Sequence, residues 1–368
     1  MSQVFRTERQ LIICAYMLTF LFYLKYLLQG WSGKNELIIE QVGYVILMVG
    51  VLFSGVAFLL ASNKEKISFI ILLIIFCLAI SLYGNKYYFW CLSAYPLVIF
   101  YSRLNDEKTI SVLLASILSA WLIFIPFQLL FSTNFFFHDD RYIRLSLGFE
   151  NPNTFAVLLF VVYSLILALL DRRRDAFGGV GYIIASLIIL PLVYQTMSRT
   201  FLLTCLLLCA YFPFRKIRLF KIHAKFATII LILIACFQFY LVSGYGTHNP
   251  TSYAFDSLFS GRVRLSYQMY ASLGFPGLFL GSDISDYLPI DFFFPNLLFS
   301  SGWFFSFFYI IFYIYILSNL KYKTNFISFL CLIMVTLSLA ENVFNIPIIN
   351  YTIFFLYKSR EVKRLYIK

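Results

Sequence analysis

Charge is scarce in this sequence. Asp, Glu, Lys and Arg together make up 12% of the 368 residues, against roughly 25% in a soluble domain. That scarcity excludes the pair of soluble domains that the length alone would suggest. Histidine is nearly absent: His138, His223 and His248 are too few and too scattered for a metal cluster. The seven cysteines form no C-x-x-C pair and all sit in or beside apolar runs, so neither a zinc site nor a disulfide framework is indicated. Cys205 and Cys209, one helical turn apart, read as small apolar residues on a span. No G-x-G-x-x-G, Walker loop or other nucleotide signature occurs, which argues against an ATP-driven pump. No cofactor is expected, and neither an internal repeat nor a low-complexity linker is visible.

Apolar residues are what the chain has in excess, at 61% against roughly 45–50% in soluble domains. They predict an all-α polytopic membrane protein, a single transmembrane domain over residues 1–368 with about twelve transmembrane helices of ~20 residues each. The apolar runs are 11–28, 38–61, 67–83, 87–101, 110–131, 154–170, 180–197, 200–214, 226–243, 292–317, 326–339 and 347–357. Run 11–28 follows Arg6 and Arg9, carries Lys25, and has no small-residue cleavage site behind it. It reads as a retained first span, not a removed signal peptide. Aromatics reach 20%; Phe and Tyr are ordinary residues of spans and interfaces, although sugar rings also stack on them.

The net charge of +12 has the size of a nucleic-acid footprint. The basic residues, however, lie in short segments between apolar runs, which is a topological pattern and predicts no nucleic-acid partner. If the N-terminus is cytoplasmic and the spans alternate, most of the 29 basic residues fall on the cytoplasmic side, as the positive-inside rule requires. Both termini are then expected in the cytoplasm. Two outer segments are long, 132–153 and 244–291, and residues 257–273 have the spacing of a helix lying at the outer interface. Long outer loops beside short inner ones point to work done on the outer face.

Topology does not explain the outer basic residues Lys34, Lys86, Arg141, Arg144, Arg199, Arg262 and Arg264. The arginines come from three separated segments that reach the same side, and the planar guanidinium suits bidentate contact with phosphate oxygens. The bland reading of each is headgroup binding or pairing with Asp139, Asp140, Asp256 or Asp283; for all three segments together an anionic ligand is the preferred expectation. Arg141 and Arg144, three apart, would share a helix face. Arg262 and Arg264, two apart, would point in nearly opposite directions, and Arg262, following Gly261, is the one expected to face a cavity. Arg199 would open a span with Ser198 as its N-cap, at a helix end where a cation costs ~0.3–1 kcal/mol. Asn151-Pro152-Asn153 reads as a helix start, with a cap and a first-turn proline, and such a terminus also favours phosphate. The acidic candidates are Asp291, which reads equally as a helix cap, Glu150, and Glu341, which reads equally as a solvated turn residue. His138-Asp139-Asp140 resembles a metal or sugar cluster, but three adjacent residues cannot easily face one ligand.

These motifs resemble a known family. Arg144-Leu145-Ser146-Leu147-Gly148-Phe149-Glu150-Asn151-Pro152-Asn153 is similar to an outer-loop segment of bacterial O-antigen and capsule repeat-unit polymerases, the Wzy type. Ser198-Arg199-Thr200, then Ser260-Gly261-Arg262 with Gly277-Leu278-Phe279-Leu280-Gly281-Ser282, then Asp291 with Gly302, resemble later markers in the same order. O-antigen ligases are related, but they place a histidine near the end of the large loop, where this chain has Asp291.

The resemblance implies a membrane-embedded glycosyltransferase of GT-C-like architecture in the bacterial inner membrane. Its substrate would be an oligosaccharide repeat unit on undecaprenyl diphosphate, and its further partners membrane lipid and a chain-length regulator. It implies Arg199 and Arg262 on the diphosphate with Arg144 assisting, and Asp291 as base, with Glu150 and Glu341 behind it. Arg141, Asn151, Asn153 and Arg264 would line the substrate. A ligase, or a flippase for the same lipid-linked unit, remains as an alternative; a flippase would need charge along the middle of the membrane, which is nearly absent here.

Overall fold

The computed structural model describes all residues except 1, 32–35, 84–86, 132–134, 139–142, 173–175, 215–223, 288, 289, 345 and 358–368. Its helices are α1 (Ser2–Gln29), α2 (Glu36–Leu60), α3 (Asn63–Tyr83), α4 (Tyr87–Arg103), α5 (Asp106–Phe131), α6 (Pro152–Arg172), α7 (Ala176–Gln195), α8 (Arg199–Phe214), α9 (Ala224–Gly246), α10 (Pro250–Leu258), α11 (Arg262–Leu273), α12 (Phe293–Leu317) and α13 (Asn325–Leu337). Residues 352–357 are also helical. Among the described residues, eight helices are long and apolar enough to cross a membrane: α1, α2, α3, α5, α6, α7, α9 and α12. By helix length and composition the chain is therefore an α-helical, multi-pass membrane protein. The apolar α8 and α13 have 16 and 13 residues, shorter than the ~20 needed to cross a ~30 Å hydrocarbon layer.

The chain divides into two compact units. The first holds Met1–Leu60, Ser93–Phe220 and Asn325–Leu330; the second holds Ala61–Leu92, Lys221–Thr324 and Cys331–Lys368. In the first unit α1 packs on α2 and α5, and α6 on α5, α7 and α8. Lipid provides no hydrophobic drive for helices to associate, so small residues and hydrogen bonds matter more there. Tyr16 donates to Ser119 Oγ at 2.8 Å, Thr19 and Tyr101 share a bond of 2.7 Å, and Tyr163 and Ser186 one of 2.8 Å. Ion pairs Lys108–Glu8 (2.6 Å) and Arg172–Asp106 (3.4 Å) mark the end where α5 starts and α6 finishes.

At the other end of that unit, the long outer segment 132–153 carries a short antiparallel hairpin, β1 (Phe136–His138) and β2 (Ile143–Leu145), with Phe137 opposite Arg144. Arg144 thus lies on a strand and not on a helix. Arg141, Asp139 and Asp140 lie outside the described residues.

In the second unit α9 packs on α10, α11 and α12. The single interfacial helix expected over 257–273 is two helices. Ser260 (φ 56°) and Gly261 (φ 84°) are left-handed and end helical continuity between α10 and α11. The Asp256 carboxylate accepts from Arg264 N at 2.8 Å and so caps the new first turn. α12 is itself broken at Gly302 (φ 80°, ψ 168°), a conformation open essentially only to glycine.

Candidate functional site

The expected site residues fall into two clusters, one in each unit. In the first unit the N-terminus of α6 forms as the sequence reading proposed. Asn151 Oδ1 accepts from Asn153 N at 2.9 Å, its carbonyl accepts from Thr154 N at 3.0 Å, and Pro152 occupies the first helical position. Asn153 then turns its own Oδ1 to Arg144 Nη2 at 3.0 Å, while Arg144 Nε donates to Thr196 O at 2.9 Å. The half-buried Arg144 therefore ties the start of α6 to the end of α7. Asn151 and Asn153 serve this joint. Glu150 is exposed, and its amide bonds Gly30 O at 2.8 Å.

Thr196 also ends the turn that leads into α8. Met197 takes a left-handed φ of 53°, and the helix begins at Arg199, with Ser198 O accepting from Leu202 N at 2.9 Å. Arg199 is exposed at this helix end. Among the described residues, neither Arg199 nor Arg264 has an acidic side chain within ion-pair distance.

The second cluster centres on Arg262, the first residue of α11. Its Nε lies 2.9 Å from Asp291 Oδ2 and its Nη2 lies 3.0 Å from Glu341 Oε1, while Nη1 donates to Ala340 O. The Arg262 side chain is 13% exposed, Glu341 7% and Asp291 31%. Two carboxylates over a helix N-terminus also offset the unfavourable placing of a cation there. Arg264, two residues on, is exposed and takes no part, as the opposite directions of the two side chains require.

Two expectations are corrected here. Asp291 is not the cap of α12: that position belongs to Phe292, with no side-chain cap, and the Asp291 carboxylate turns to Arg262. Glu341 is not a solvated turn residue but a buried acid paired to the same arginine. The two acids are not equivalent. Asp291 is the more open, and burial raises its pKa above the ordinary value while the Arg262 guanidinium draws it back down. When ionised it is a better proton acceptor than a free carboxylate, and a cation fixes its orientation.

Sequence reasoning missed Gln238. It is fully buried in α9, its Nε2 donates to Ser338 O (2.7 Å) and Leu339 O (3.0 Å), and its Oε1 accepts from Phe294 N (3.0 Å). One amide thus holds the chain just before Ala340 and Glu341 against the chain just after Asp291. The available signal was a lone amide side chain inside an otherwise apolar span. Among the described residues no group of His, Cys, Asp and Glu side chains could hold a metal ion. Comparisons with family models, with curated proteins and with solved structures found no match.

Proposed function

We propose that this protein is a polysaccharide repeat-unit polymerase of the Wzy type, with about twelve spans in a GT-C-like arrangement and both termini in the cytoplasm. It would act on the outer face of a bacterial inner membrane and make O-antigen or capsular polysaccharide. The observation that carries this reading is the pairing of Arg262 with Asp291 and Glu341. It joins a half-open carboxylate of raised pKa to a fixed cation, on residues whose motifs resemble that family.

In the proposed reaction a hydroxyl of the incoming lipid-linked unit attacks the anomeric carbon of the growing chain. The new glycosidic C–O bond forms as the bond to diphosphate breaks. Asp291 takes the hydroxyl proton, and the bonding pair leaves with the lipid diphosphate.

The test is a deletion strain complemented with wild type, Asp291→Ala or Asp291→Asn, scored for polysaccharide length and for protein level. The expected result is single repeat units in both variants at normal protein level. A normal ladder of chain lengths in both would overturn the assignment. Lipid-linked units trapped in the cytoplasmic leaflet of the deletion strain would indicate a flippase instead. Polymer that is made but not joined to its lipid A core acceptor would indicate a ligase.

A further inference from the structure

The long segment between α11 and α12 contains a stretch that does not behave as an aqueous loop. At the Gly302 break, an unbroken helix would pair Trp303 N with Phe299 O and Phe304 N with Ser300 O. Instead Trp303 N bonds Gly277 O at 3.1 Å, Phe304 N bonds Leu278 O at 2.8 Å, and the freed Phe299 O accepts from Ser282 N at 2.7 Å. Residues 277–282 therefore run along α12 as a strap and satisfy the main-chain groups that the break exposes. The fit depends on glycine: a Cβ on Gly281 would collide with the backbone of Ser300 and Ser301, and one on Gly302 would come within 2.9 Å of Gly277 O.

Depth follows from helix geometry. Trp303 lies roughly 15 Å along α12 from Phe293 at 1.5 Å per residue. The 28 residues Phe293–Leu320 that are apolar enough to cross a membrane exceed a ~30 Å hydrocarbon layer by roughly 12 Å. Even with all of that excess projecting at the Phe293 end, the strap carbonyls lie ~3 Å inside the hydrocarbon. Non-helical backbone is tolerated at that depth only where its polar groups are satisfied by protein, which is what the strap achieves. Its side chains match the same surroundings. Phe275, Leu278 and Phe279 are 80%, 63% and 62% exposed, and Phe279 packs on Phe304, which continues into the exposed apolar row Phe307, Phe308 and Ile311 of α12.

We propose that residues 275–281 form a re-entrant segment inserted among the acyl chains of the bilayer. The inference is independent of the reaction proposed above. The test uses the full chain, with its cysteines replaced, carrying a nitroxide at Phe279, Phe307 or Asp286 and reconstituted in phospholipid nanodiscs. The expected result is that position 279 matches lipid-facing 307, with high collision rates for oxygen and low rates for a water-soluble nickel chelate. Nickel accessibility equal to that of loop position 286 would overturn it. A second measurement works in the native chain, should the cysteine replacements prevent folding. Phe279→Arg is expected to lower the amount of folded protein in the membrane several-fold, whereas Phe279→Ala and Asp286→Arg leave it near wild type. Wild-type levels of Phe279→Arg would equally refute the insertion.

Discussion

Arg262 does two tasks that single substitutions would confuse. It neutralises a buried glutamate and orients a more open aspartate. Removing one partner of a buried ion pair costs roughly 3–5 kcal/mol, so loss of function in Arg262→Ala would report folding as much as chemistry. A pH profile separates the two. Burial raises the Asp291 pKa, so the proton-accepting form is lost as pH falls through a value above the ordinary one. Reconstituted protein is expected to show an acid limb above the ordinary carboxylate range. Arg262→Gln removes the cation that lowers this pKa, so its limb moves to higher pH. A limb at the same pH in both proteins would remove Asp291 as the base. The stability linkage has the opposite sign to that of an ordinary salt-bridged carboxylate. The folded state holds this proton more tightly than the unfolded chain, so the contribution of Asp291 declines as pH rises through the raised value.

At the scale of elements, the second unit is organised by irregular backbone as much as by helices. The breaks at Ser260-Gly261 and at Gly302, and the turns that follow α13, place the charged groups at the ends of segments. Gln238 closes the main-chain bonds that two of these segments leave open. Gln238→Leu would strand two carbonyls and one amide, at about 1–3 kcal/mol each. The variant should therefore unfold at a distinctly lower temperature in detergent. Gly55→Ala is the matched control, because a Cβ there meets nothing within 4 Å and alanine is the better helix former. Equal melting temperatures for the two variants would show that Gln238 is dispensable. In the first unit Arg144 plays the comparable part, binding β2 to the start of α6 and the end of α7 through neutral partners.

At the scale of the whole molecule, charge distribution predicts orientation. Reporter fusions after residue 368 should fluoresce with green fluorescent protein and stay silent with alkaline phosphatase, and the reverse result would refute a cytoplasmic C-terminus. Much of the architecture was legible because membrane insertion is governed by composition over ~20 residues, a local property. The starts of α6 at Asn151-Pro152 and of α8 at Arg199 were legible for the same reason, since caps are chosen by neighbouring residues. The separation of Arg262 from Arg264 followed from helical geometry alone. The environments of Asp291 and Glu341 were not legible: each could be read as a cap or a solvated residue until Arg262, 79 positions from Glu341, was brought to them. Nor was the strap on α12, because glycines at 277, 281 and 302 acquire meaning only when two distant backbones meet. By itself the sequence determined that the chain is α-helical, enters a membrane many times and carries its unexplained arginines in three places, because solvation and capping act over a few residues. Only the tertiary structure decided which acids hold Arg262 and where α12 breaks, because ion pairs and main-chain bonds between remote segments depend on distances that linear spacing does not contain.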